Sequence, residues 1–179
     1  QLTFVISSID NLGYIKEEEK RKERMATLAD FTRDTMAQLR ETIWAINSET
    51  ISMDRLFSRI AEFVNHAKNP QLGIIFQLEN SSKNIDLTAE QAINLFRTVQ
   101  EAINNAIKHA KAQNINILAS DSTFLVEDDG KGFSRKDISH GNGLNNMELR
   151  MAEVGFRANI ESSPGEGTKI KILFSRTQI

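Results

Sequence analysis

The chain has 179 residues, 40% hydrophobic and 26% charged, with a formal net charge of −2 and no cysteine. That composition belongs to a globular protein of one domain plus an accessory element. It excludes a disulfide framework and a Cys-ligated metal, and it gives no electrostatic case for nucleic acid. No apolar run approaches the ~18 residues of a membrane span, so membrane attachment is expected only through regions outside this chain, and a cytoplasmic location is expected for these residues. The sequence does not begin with Met and its first residues read as mid-helix, so a fragment is expected.

Residues 1–48 read as two helices. Leu2, Val5, Ile9 and Leu12 are spaced 3, 4, 3, and so are Met36, Leu39, Ile43 and Ile46; both are coiled-coil-like seams. Between them the charged run KEEEKRKER, residues 16–24, reads as a solvated helix face or hairpin turn. One hairpin does not cover both seams together with Phe4, Ile6, Phe31 and Trp44. Each exposed aliphatic residue forgoes roughly 1.5–3 kcal/mol of burial. A four-helix bundle made by a homodimer is therefore expected; packing of the seams on the rest of the same chain is the other solution.

Residues 48–52 form a polar break. A helix is expected from 53 to about 67, with Leu56, Ile60 and Phe63 on one face, ended by Asn69-Pro70. LGIIFQL, residues 72–78, is a strand candidate, and the loop NSSKNID follows. Thr88 is placed as the N-cap of a helix over 89 to about 111, with Gln91 at the capping-box position. Residues 115–119 and 123–127 read as a β-hairpin. A glycine-rich polar stretch covers 129–143, a helix covers 145–154, and strands cover 157–161 and 168–174. The expected fold class is α+β: the helical hairpin, then a helical layer on a mixed sheet of about five strands.

The helix over 89–111 has one apolar side, Ala102, Ile103, Ala106, Ile107 and Ala110. Its other side carries Glu101, Asn105, Lys108 and His109. Three glycine pairs follow. EDDGKGF has Asp128, Gly130 and Gly132 directly after a strand; HGNGL has Gly141, Gly143 and Leu144 directly before a helix; PGEGT precedes a strand beginning at Thr168. Such pairs admit close backbone approach, and a helix start beside one suits phosphate. A Walker phosphate loop is absent, and Asn146 breaks the dinucleotide fingerprint.

In this order the four segments resemble the Bergerat-type ATP-binding domain, shared by gyrase, Hsp90, the histidine kinases and MutL. The resemblance covers residues from about 53 to 175 and divides the chain into helices over 1–48 and an ATP-binding domain over 53–179. It implies ATP and Mg²⁺ as cofactors. By the same resemblance Asn105 is the Mg²⁺ ligand, and Glu101 is a catalytic residue that faces the metal or its water. Asp128 accepts from the adenine amino group, and Thr168 completes that contact. Gly130 and Gly132 pass close to the base, while Gly141, Gly143 and Leu144 belong to a phosphate-contacting lid. Lys108 offsets phosphate charge. His109 is read either as a phosphate contact or as a packed or surface histidine, and His140 in the lid is read both ways too.

QLRETIWAIN, residues 38–47, together with QEAINNAIKHA and GLNNMELR, resembles sensor histidine kinases of the nitrate-sensor type. That implies a response-regulator receiver domain as partner and transfer of the γ-phosphate to a His and thence to an Asp. In the family the acceptor His precedes the position of Gln1, so this chain is not expected to phosphorylate itself. A protein Ser kinase of the anti-sigma-factor type shares the pocket but has no leading helical hairpin. Gyrase-like ATPases carry a further domain after the pocket.

Overall fold

The computed structural model describes residues 18, 20–22, 25–29, 32, 50–68, 72–83, 85–134 and 143–174. The chain divides into two compact units, Gln1–Asn47 and Ser48–Ile179. In the first, every described residue is helical. Glu18 and Lys22 pair across one turn at 3.4 Å, and the Thr32 hydroxyl donates to the Leu28 carbonyl at 2.7 Å. The described members of the charged run are exposed, which makes that part a solvated helix face. The two apolar seams and their neighbours Phe4, Ile6, Phe31 and Trp44 lie outside the described residues.

The second unit begins with β1 (Thr50–Ser52), which pairs antiparallel with β3 (Asp86–Thr88). Both strands fall where the sequence reads as polar break and loop. Each has three residues with one apolar residue at its centre, too short for an alternation to register. Ile51 and Leu87 are both buried, so this small ribbon closes the core beneath two helix starts. Ser52 caps α1 (Met53–Ala67), accepting from the Arg55 N–H. Met53, Leu56, Ile60 and Val64 form the buried stripe of α1. Phe63 sits beside that stripe, edge-on to Phe96 with ring centroids 6.2 Å apart.

The strand expected from residue 72 begins later, as β2 (Ile75–Asn80). Gly73 at φ +64° turns the chain first, which is incompatible with extended backbone. Helix α2 (Ala89–Asn105) opens with a complete capping box. The Gln91 N–H donates to Thr88 Oγ1 at 3.1 Å, and the Thr88 N–H donates to Gln91 Oε1 at 3.0 Å. Such a cap is worth about 1 kcal/mol. Helix α2 does not end as an α-helix. Residues Ala106–Ala110 form a π-helical turn, and Lys111 follows in the left-handed region at φ 56°.

The hairpin is present as β4 (Asn114–Ala119) and β5 (Thr123–Asp128). After α3 (Gly143–Glu153), whose end is marked by Gly155 at φ 77°, come β6 (Arg157–Ser162) and β7 (Thr168–Leu173). The five-stranded sheet has the order β2-β4-β5-β7-β6. Only β2 and β4 are parallel, so the sheet is mixed. Alternate residues of β4 and β5 are buried: Ile115, Ile117 and Ala119, with Phe124 and Val126. This face receives α1, α2 and the buried Met147 and Met151 of α3. The domain is thus one helical layer on one sheet.

Candidate functional site

The polar side of α2 runs along the edge of that core. Glu101 and Asn105, one turn apart, both reach a cavity of about 440 Å³. The Asn105 side-chain N–H donates to Glu101 Oε1 at 3.4 Å, which leaves the amide carbonyl oxygen as the group offered to a ligand. His109 lines the same cavity. Four residues after Asn105, it shares that residue's face, whereas Lys108 does not line the cavity. Lys108 is exposed and off the cavity wall, while Lys131 is on it. Among the described residues, a lysine beside the cleft thus comes from between the glycines of the D-x-G-x-G segment, while Lys108, to which the resemblance gave the offsetting of phosphate charge, does not line it.

The opposite end is built on the sheet. Strand register places Asp128 opposite Thr168, and both line the cavity. Asp128 is 8% exposed. Its Oδ1 accepts the Gly130 N–H at 2.9 Å, and the Thr168 hydroxyl and backbone N–H also lie within hydrogen-bonding reach. Burial pushes its carboxyl above the ordinary aspartate value, and those hydrogen bonds only partly offset this. Asp129 faces the other way. Its carboxylate accepts from the backbone N–H groups of Gln113 and Asn114 and from the Asn114 side chain, at 2.7–2.8 Å. The Asn114 hydrogen bonds hold its carboxyl below the usual value.

The glycines divide by task. Gly132 lines the cavity at φ +58°, and a Cβ there would collide with the Ser163 carbonyl. Gly130 is not on the cavity wall. A Cβ on it would lie 2.5 Å from Ala110 Cβ, so Gly130 seats the strand against the π-helical turn and orients Asp128. Gly143, the first residue of α3, faces Glu101: a Cβ would lie 3.0 Å from Glu101 Oε1. Leu144 adds apolar wall beside it. Gly141 and His140 lie outside the described residues. Lys131, Phe133, Val126 and Ile170 also line the cleft and went unmarked in the sequence. Phe133 and Lys131 adjoin the glycines, but Val126 and Ile170 are ordinary strand residues that only the fold brings there.

Among the described residues no cluster of three or more His, Asp or Glu could hold a metal by itself. Glu101 and Asn105 offer one carboxylate and one amide oxygen. Two protein oxygens fit Mg²⁺, which retains waters and takes substrate phosphates as further ligands.

Residues 90–178 match the family described as histidine kinase-, DNA gyrase B-, and HSP90-like ATPase. The sensor histidine kinase LiaS of Bacillus subtilis is 26% identical over 181 residues, covering 96% of this chain and 49% of LiaS. The NarQ homolog of Haemophilus influenzae, a sensor protein, is 28% identical over 174 residues, covering 90% of this chain and 30% of its own length. The chain thus spans half or less of these relatives. Among solved structures, the histidine kinase AdeS of Acinetobacter baumannii superposes with a TM-score of 0.63 at 15% identity, covering 99% of this chain and 95% of that one. The histidine kinase domain of a blue-light activated kinase from Erythrobacter litoralis gives 0.59 at 17%, covering 97% and 95%. These two likenesses speak for the fold. The sequence matches extend over both units, beyond the nucleotide cleft alone. Residues 90–178 thus form a histidine kinase-, DNA gyrase B- and HSP90-like ATPase domain, and the chain is similar to sensor histidine kinases over 90% or more of its length.

Proposed function

We propose that the cleft binds Mg-ATP and presents its γ-phosphate to a histidine, from which the phosphoryl group passes to an aspartate of a response-regulator receiver domain. The observation that carries this reading is one shared cavity lined by Asp128 and Thr168 from the sheet and by Glu101, Asn105 and His109 from one helix. The first pair suits a purine amino group. The second set suits a hydrated cation and phosphate oxygens.

In this reading the Asp128 carboxylate accepts from the exocyclic amino group, and Val126, Phe133 and Ile170 exclude water from the ring. The Asn105 carbonyl oxygen holds Mg²⁺ against the phosphates. Bound there, Mg²⁺ supplies charge neutralisation for a largely dissociative phosphoryl transfer. Glu101 would orient water beside the cation or take the proton of the attacking imidazole, and His109 and Lys131 would donate to phosphate oxygens. The helices over 1–48 serve as a homodimerisation element, and the domain works in the cytoplasm. Among the described residues no helix is long and apolar enough to cross a membrane.

Titration calorimetry with ATP, with and without Mg²⁺, tests the binding step. Incubation of the full-length protein with labelled ATP and a receiver domain tests the transfer. ATP binding that is absent in both conditions overturns the reading. Label appearing on serine, and not on histidine or aspartate, redirects it to a protein Ser kinase.

A further inference from the structure

Three residues on neighbouring strands stand in one row across the sheet: Ser162 on β6 opposite Thr168 on β7, and Thr168 opposite Asp128 on β5. Residues directly opposite one another share a face of the sheet. Asp128 and Thr168 reach the cavity, but Ser162 stands behind them. Its hydroxyl is fully engaged. The Phe133 N–H donates to Ser162 Oγ at 3.0 Å, and Ser162 Oγ–H donates to the Gly167 carbonyl at 2.7 Å. Thr168 Oγ1 lies 3.3 Å away. Ser162 thus joins the residue after the D-x-G-x-G loop to the residue before Thr168.

A hydroxyl has one proton and two lone pairs. With the Ser162 proton on Gly167 and one lone pair taken by Phe133, what remains toward Thr168 is a single lone pair. The Thr168 proton then has two acceptors, Ser162 Oγ and the Asp128 carboxylate. Held by Ser162, it leaves the Thr168 lone pairs and the Asp128 carboxylate to the ligand; without Ser162 it turns to the carboxylate and takes up an acceptor there. The side chains of the Ser162–Thr168–Asp128 row therefore offer the ligand acceptors alone. A purine with an amino group meets them well, whereas a carbonyl at the same position leaves buried acceptors facing each other, an arrangement strongly disfavoured where water is excluded.

We propose that Ser162 is a positioning residue which, by fixing the Thr168 hydroxyl as an acceptor toward the ligand, sets the preference of the cleft for a 6-amino purine over a 6-carbonyl one. The proposal rests on the ATP reading above and deepens it. Ser162 touches no nucleotide; it acts through Thr168.

The test measures ATP and GTP dissociation constants by calorimetry for the wild-type chain, Ser162→Ala, Ser162→Thr, Thr168→Val and the Ser162→Ala/Thr168→Val double variant, with thermal melts to establish folding. Ser162→Ala lowers the ATP-over-GTP preference by about 3- to 10-fold, the value of one hydrogen bond. Ser162→Thr, which keeps the hydroxyl, retains the preference. Thr168→Val loses a similar amount, and the double variant loses no more than the larger single loss, because the two residues act as one unit. A preference unchanged in a folded Ser162→Ala chain that still binds ATP overturns the proposal and leaves the ATP reading standing. So do additive losses in the double variant, which mark a general structural role. A wild-type chain that binds neither nucleotide overturns both.

Discussion

The two ends of the cleft are built differently. The base end is a floor of paired strands, where Asp128 and Thr168 are set by backbone register and where Gly132 and Gly167 admit no side chain. The phosphate end is a stripe of side chains on one helix, Glu101, Asn105 and His109, continued through a π-helical turn. At the base end the backbone does the positioning, so a side chain added at its glycines costs folding as well as binding. At the phosphate end long side chains do it, so changes there alter ligand affinity and spare the fold.

The sharpest way to break this contrast is Asn105→Ala. Mg-dependent ATP affinity falls by about 100-fold, the upper end of what changes around metal sites cost, while the thermal midpoint stays near wild type. Calorimetry and a melt on the same sample read both, and a collapsed fold would place Asn105 in the structural class.

Asp128→Asn comes next and divides stability from binding. ATP affinity falls about 10-fold or more, the value of a hydrogen bond to a charged group, and ATP suffers more than GTP. Burial raises the Asp128 pKa in the folded chain. The stabilising preference for its protonated form is therefore fully present below the unfolded value and is lost as pH rises through the folded value. At neutral pH the ionised carboxylate weighs against the nucleotide-free fold, so Asp128→Asn raises its melting temperature there. The gain vanishes in acid. A pH series of melts checks the sign. Asp129 behaves oppositely: its depressed pKa makes its contribution present above the unfolded value and lost as pH falls through the folded one.

Gly132→Ala sharpens the same contrast through the backbone. Its positive φ and the collision with the Ser163 carbonyl predict a loss of about 1–3 kcal/mol in urea unfolding. Gly143→Ala meets only the flexible end of Glu101 and leaves unfolding nearly unchanged. The smallest effect separates two lysines. Lys131→Ala weakens ATP binding by about 3- to 10-fold through a lost charge-assisted contact, and Lys108→Ala leaves it within error. The reverse order would return the offsetting of phosphate charge to Lys108.

Much of this was legible in the sequence for a physical reason: long elements with strong periodicity announce themselves. The capping box at Thr88 and Gln91, the β4–β5 hairpin, and the glycine pairs around Asp128 and Thr168 all stand where the residues place them. What stayed hidden was short or collective. β1 and β3 each carry one apolar residue, and their pairing is visible only in three dimensions. The π-helical turn leaves no mark on an alanine-rich segment that suits an α-helix equally well. Ser162 lies just past the expected strand over 157–161, and its place opposite Thr168 follows from strand register, which joins positions distant along the chain.

Ala110 ties the two ends together. Its carbonyl accepts the Lys131 N–H at 2.8 Å, its methyl group blocks Gly130, and its surface forms part of the cavity wall. In the proposed reading, the helix beneath the triphosphate and the strand end beneath the ring share one mechanical fulcrum. Adenosine and inorganic triphosphate, offered as separate fragments, are then not independent visitors: seating one braces the hinge on which the other settles, and the intact nucleotide gains more than the sum of its halves.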